Sequence, residues 1–116
     1  PPNDCVGAKQ FYIHYHQTDN NRILSGTRTF ELVNKEWKYP YHIVHLNRSS
    51  GALVIPPLTY HRSTSGEKGS IVINQAIRSE GFDSKTEFIP ISAASCPELY
   101  DILKNEEPVI HNFTES

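Results

Sequence analysis

The reading of this chain turns on the stretch Trp37-Lys38-Tyr39-Pro40-Tyr41-His42-Ile43-Val44-His45-Leu46-Asn47-Arg48-Ser49-Ser50-Gly51-Ala52-Leu53-Val54-Ile55-Pro56-Pro57-Leu58. Two runs of strand-forming residues, Tyr41 to Leu46 and Ala52 to Ile55, flank Ser49-Ser50-Gly51, which is the composition of a β-hairpin and its turn. Pro56-Pro57 closes the second run, because a central strand cannot lose the amide hydrogen. The stretch also carries aromatic rings, an arginine and two of the six histidines. A ligand site is expected here.

Upstream, Phe11 to His16 is a six-residue aromatic and β-branched run and reads as a first strand, with His14 and His16 on one face. Thr18-Asp19-Asn20 offers N-cap side chains, and Ile23, Thr27, Phe30, Asn34 and Trp37 follow at helical spacing. The spacing predicts one amphipathic helix from about Asn20 to Glu36, stopped at Lys38-Tyr39-Pro40. Trp37 is expected in the core.

Downstream, the polar Tyr60 to Gly69 reads as an exposed loop and Ser70 to Asn74 as a strand. Thr86 to Ile91 reads as another strand. Pro97 to Leu103 reads as a short helix opened by proline or as a closing strand. The tail from Asn105 is expected to fray, with Val109, Ile110 and Phe113 available to dock.

With 116 residues and 37% hydrophobic content the chain is expected to form one domain, residues 1–116. A formal charge of −2, from 11 basic and 13 acidic residues, gives no global field toward nucleic acid or membrane, so any polyanion must be held by a local patch. No apolar run reaches the ~18 residues of a membrane span. The absence of methionine and the opening Pro1-Pro2-Asn3-Asp4 suggest a processed secreted form. Cys5 and Cys96 suit a single disulfide between the two ends of the chain, worth on the order of 4 kcal/mol; two buried free thiols are the alternative. The sequons Asn47-Arg48-Ser49 and Asn112-Phe113-Thr114 are compatible with secretion.

One helix followed by an antiparallel sheet is an α+β pattern, a single α-helix packed on an antiparallel β-sheet. In Tyr39-Pro40, Asn47 to Gly51, Gly69 to Asn74 and the terminal cysteine pair the chain resembles the guanyl-specific extracellular ribonucleases of fungi, and more closely the ribonuclease-like effectors secreted by powdery mildew fungi. Asn3 departs from the aromatic residue that often precedes the first cysteine in those effectors. The resemblance implies a microbial ribonuclease-like fold, secretion followed by entry into the host cell cytoplasm, and a role in virulence.

The chemistry of such enzymes needs a general base, a general acid and a cation for the phosphorane. The catalytic glutamate would fall near Tyr60-His61-Arg62, yet no carboxylate lies between Trp37 and Gly66; the arginine would fall at Ser70, the last histidine at Ile91, and His42 stands one place late. The resemblance therefore implies a pseudoenzyme that retains the fold, lacks the catalytic residues and binds host RNA, ribosomal RNA in particular, as a monomer without cofactor or metal. Tyr39, Tyr41, His42, His45, Tyr60 and His61 are the candidate stacking faces for unpaired bases, and Arg48 and Arg62 the candidate phosphate contacts. The alternatives are a scaffold that binds host proteins, an active ribonuclease using His42 or His45 with His61, and a weak metal signal at His14 and His16 or at His42 and His45.

Overall fold

A computed structural model describes residues 5–112. The expectations placed on Pro1 to Asp4, on Phe113 and on the end of the second sequon lie outside the described residues. The fold is α+β and strand-rich. Its elements are β1 (Gln10–Phe11), β2 (Gln17–Val33), β3 (Tyr41–Asn47), β4 (Leu53–Ile55), β5 (Tyr60–Arg78), α1 (Ser84–Glu87), β6 (Ile91–Ser92), α2 (Pro97–Asn105) and β7 (Val109–Asn112).

The expected helix from Asn20 to Glu36 is instead the 17-residue central strand β2. Its helical spacing was an accident of bulges. Gln17, Asp19, Asn21 and Ile23 alternate inward at period two, and register shifts between Ile23 and Ser25 and between Gly26 and Arg28 then break the alternation. Phe30 to Val33 are all buried because this end of the sheet is covered on both faces. Gly26 sits at φ +75°, and a Cβ there would lie 2.1 Å from the Gly69 carbonyl oxygen. Only glycine permits that approach of two backbones.

β5, the expected polar loop together with the expected strand, runs antiparallel to β2 over its whole length, from Gln17 opposite Arg78 to Val33 opposite Tyr60. Its Ser, Thr, Glu and Lys residues are those of a strand wet on one side. The expected hairpin at 41–55 is a second correction. β3 and β4 are both antiparallel to β2, with Asn47 opposite Thr27 and Leu53 opposite Asn21, so the chain carries on along the same edge and the turn at 48–50 bulges out without reversing it.

The apolar residues divide between the two faces of the sheet. On the helix face, Phe11, Val33, Tyr41 and Ala93 pack with Leu99 and Leu103, which lie four residues apart on α2. α2 is the helix option expected at Pro97 to Leu103, with proline in its first turn, Glu98 near its N-terminus and Lys104 near its C-terminus. On the open face, Ile23, Phe30, Leu32, Val44, Leu46 and Ile55 form a second cluster, with Trp37 packed against it. The tail does not fray at 109–112: β7 pairs parallel with β3, Val109 opposite His42 and Asn112 opposite His45. Its Ile110 points outward and is exposed.

Three further expectations are corrected. Of the expected first strand, Phe11 to His16, only Phe11 lies in a strand, β1, followed by a single bridge from Tyr12 to His61. Thr86 to Ile91 is not a strand; α1 ends at Glu87 and only Ile91–Ser92 pairs, with β1. Cys5 and Cys96 are free thiols, Cys5 exposed and Cys96 half-buried with its Sγ 3.4 Å from Tyr60 Oη, so the expected disulfide is not formed.

Candidate functional site

Successive residues of a strand point to opposite faces, and this separates the residues expected to form one groove. Tyr41, Tyr60 and Arg62 belong to the helix face. Tyr41 is buried and donates its hydroxyl to Glu31 Oε1 at 2.9 Å. Burial, and then the neighbouring carboxylate, push the Tyr41 phenol well above its ordinary pKa. Burial beside the Cys96 thiol raises the Tyr60 phenol in the same direction. Arg62 donates to Glu31 Oε2, and Lys9 donates to Glu31 Oε1 at 2.8 Å. Burial opposes ionisation of Glu31, but the hydrogen bonds from Lys9 and Arg62 outweigh it and hold the carboxyl below its ordinary range. These side chains are occupied in a structural cluster.

The other candidates are also dispersed. His42 Nε2 donates to the Tyr39 carbonyl at 2.7 Å, its Nδ1 is 2.9 Å from His111 Nε2, and its ring meets Trp37 edge-on. His45 Nδ1 is 2.8 Å from Thr29 Oγ1. Arg48 is exposed in the turn after β3, and Tyr39 is exposed before it. Tyr60 lines a cavity with Asn34, Lys35, Glu36 and Glu98, and His61 lines another, on the open face.

That cavity, about 360 Å³ on the open face, is lined by Tyr12, His14, Gln17, Asp19, Asn21, Phe30, His61, Ser63, Asn74 and Phe88. Asp19 is its centre. The inward alternation of β2 buries this carboxylate, and each of its oxygens is bonded. Oδ1 accepts from Gln17 Nε2 at 2.6 Å and from Asn74 Nδ2 at 3.2 Å. Oδ2 lies 3.2 Å from His14 Nε2 and 3.5 Å from His61 Nε2. The two imidazole centroids are 4.9 Å apart.

The second nitrogen of each ring fixes its tautomer. His14 Nδ1 donates to the Glu87 carbonyl at 2.6 Å, and His61 Nδ1 donates to the Thr59 carbonyl at 3.0 Å. Both rings therefore present Nε2 to Asp19. α1 supplies the anchor for His14: Asp83 caps its N-terminus through Lys85 N, and the buried Glu87 carboxylate accepts from the amides of Tyr15 and His16 and from His16 Nδ1. Those bonds hold Glu87 ionised at lower pH than usual, against the opposing effect of burial.

The two imidazoles are pushed apart in pKa. Burial alone would lower His14, but its hydrogen bonds to Asp19 and the Glu87 carbonyl, with both carboxylates nearby, carry it above 6.5. His61 is lowered, chiefly by burial, with the charge of His14 adding to it. Asp19 would be raised by burial, yet its bonds to His14, Gln17 and Asn74 bring it down to about 2. Protonation is thus favoured on His14 over His61, beside a carboxylate held ionised.

Sequence reasoning took Asp19 as a helix cap, paired His14 with His16, and placed His61 with Arg62. The available signal was Gln17-x-Asp19-x-Asn21-x-Ile23, an alternation of polar residues ending in an apolar one, which marks a strand that lines a polar cavity. No family model, curated protein or solved structure matches the chain.

Proposed function

We propose that the open-face cavity receives a base of single-stranded RNA and that the protein holds RNA without cutting it. The observation that carries this reading is the wall chemistry. Aromatic Tyr12 and Phe88 stand beside the amides of Gln17, Asn21 and Asn74, in a cavity within the ~300–1,000 Å³ range of small-ligand sites. Aromatic faces stack on an unpaired base and amides read its edges, which is how single-stranded RNA is recognised. Beside the cavity, Arg28 donates to the hydroxyls of Ser63, Ser65 and Ser70, at 2.8, 2.6 and 3.2 Å, and offers a fixed cation for one phosphate.

Two features favour holding over cutting. Among the described residues no Lys or Arg lines the cavity, and both Nε2 atoms face Asp19 in place of a reacting oxygen. The likeness to ribonuclease-like effectors extends the proposal to a secreted protein acting on host RNA.

Fluorescence anisotropy with a labelled single-stranded RNA, at two salt concentrations, tests this. Asn74→Ala and Phe88→Ala are each expected to weaken binding roughly tenfold, since stacking contributes about 1–3 kcal/mol per base. With one phosphate contact the salt dependence is shallow. The proposal fails if no RNA binds at low salt, or if Arg48→Ala and Arg62→Ala abolish binding while the cavity variants do not. Incubating the same RNA with the protein reads cleavage. Cleavage lost in both His14→Gln and His61→Gln would replace holding with a two-histidine nuclease.

A further inference from the structure

We infer that His14, Asp19 and His61 form a binding site for a divalent first-row metal ion, Zn²⁺ by preference. Three observations converge on this. The ligand atoms of the three residues all lie within 4.8 Å of one another, at the floor of a solvent-reached cavity. The two distances to Asp19 Oδ2, 3.2 and 3.5 Å, lie near the separation of about 3.3 Å between ligands on a tetrahedral zinc with ~2.0–2.1 Å bonds, and the remaining separation, within 4.8 Å, closes as the two rings draw onto the ion. Each imidazole also donates its other N–H to a backbone carbonyl, Glu87 for His14 and Thr59 for His61. That outer contact is the one that orients histidine ligands and raises their basicity.

Electrostatics explains why a cation belongs between them. With Nδ1–H fixed on both rings, two lone pairs and a carboxylate face one another, and this arrangement is repulsive unless a positive charge sits inside it. A divalent ion fills that role, reaching both imidazoles and the carboxylate at once. Two nitrogens and one oxygen suit zinc, and the amides of Gln17, Asn21 and Asn74 line the same cavity. The supporting bonds come from three places in the chain: α1 holds His14, β2 holds Asp19, and β5 carries His61.

This inference shares its cavity with the RNA reading and does not depend on it. The test contains no RNA, so either can fail alone. The full chain is stripped with a chelator, dialysed, and titrated with Zn²⁺ in a calorimeter. One ion per chain is expected, and Co²⁺ in its place is expected to give the visible absorption of a four-coordinate site. His61→Gln, His14→Gln and Asp19→Asn are each expected to weaken Zn²⁺ binding at least tenfold, with circular dichroism used to confirm that each variant is folded. His42→Gln, which removes a member of the other close histidine pair, is expected to leave it unchanged. If His14→Gln does not fold, His61→Gln carries the test. Absence of stoichiometric binding to the wild-type chain overturns the proposal. So does loss of binding in His42→Gln with retention in His61→Gln.

Discussion

Two buried carboxylates sit on the same strand and face opposite ways, and their surroundings differ in one respect. Glu31, on the helix face, is neutralised by the amine of Lys9 and the guanidinium of Arg62 and bonded by the Tyr41 hydroxyl. Asp19, on the open face, is opposed by two imidazoles, one shifted up in pKa and one shifted down. The first carboxylate is closed to exchange. The second has partners that titrate, lies in a cavity, and can trade a proton for another cation. Similar burial thus produces a structural ion cluster on one side of the sheet and a candidate binding site on the other.

The comparison breaks first at the helix face. Leu99→Ala, which empties the fully buried contact of α2 against Phe11 and Val33, is expected to cost about 4 kcal/mol of unfolding free energy, read from a urea midpoint. Glu31→Gln leaves Lys9 and Arg62 without their anion and is expected to cost about 3 kcal/mol, while RNA and zinc binding by the folded protein stay as in the wild type. An equal loss of binding would erase the distinction between the faces.

Asp19→Asn should reverse the balance. A loss of about 1–2 kcal/mol is expected, since an amide retains part of the hydrogen bonding, together with the large effect on zinc binding described above. A stability loss larger than that of Glu31→Gln would make Asp19 the structural residue of the two.

The pH dependence separates the faces next. Asp19 is brought down from 3.8 to about 2, so its contribution is present above 3.8 and is lost as pH falls toward 2; Glu31, also lowered, behaves alike. In acid both faces weaken together. Toward neutrality the open face adds two imidazoles shifted in opposite directions. His14 is raised, so its contribution is complete below 6.5 and is lost as pH rises through its folded value. His61 is lowered, so its contribution is complete above 6.5 and is lost as pH falls through its folded value. The two slopes oppose each other in the wild type. Chemical denaturation across this range is expected to show stability rising with pH in His14→Gln and falling with pH in His61→Gln; identical profiles would exclude the assignment. At the small end, Lys35→Ala, which removes an exposed ion pair with Glu98, is expected to leave the urea midpoint within error.

How much of this was legible depends on where the deciding contact lies. Proline at the head of α2 with Leu99 and Leu103 on one side is local, and the helix option there is the observed one. Tyr41 to Leu46, Ala52 to Ile55 and Ser70 to Asn74 carry β-branched residues and lie within or against observed strands. β2 failed because its bulges move apolar residues out of period two and onto helix-like spacing. The Tyr60 to Gly69 half of β5 failed because a strand exposed on one side has the composition of a loop.

The sequence by itself determined the balanced charge and the short strands with β-branched cores, because each is set by composition or by neighbours within a few residues; the α+β class holds through α2, one of two forms open at residues 97–103, and not through the helix expected at 20–36. Only the tertiary structure decided that residues 41–55 continue along one edge instead of turning back, since register depends on β2, a distant partner. It also decided the site. His14, Asp19 and His61 come from the irregular segment before β2, a central strand and an outer strand, and the meeting of the last two follows from 15 antiparallel residue pairs between β2 and β5. Nε2 of each ring faces the carboxylate because a distant backbone carbonyl, Glu87, or a nearby one, Thr59, holds the opposite nitrogen. A buried charge takes its meaning from the groups that fold around it, and most of those groups are far away in the chain.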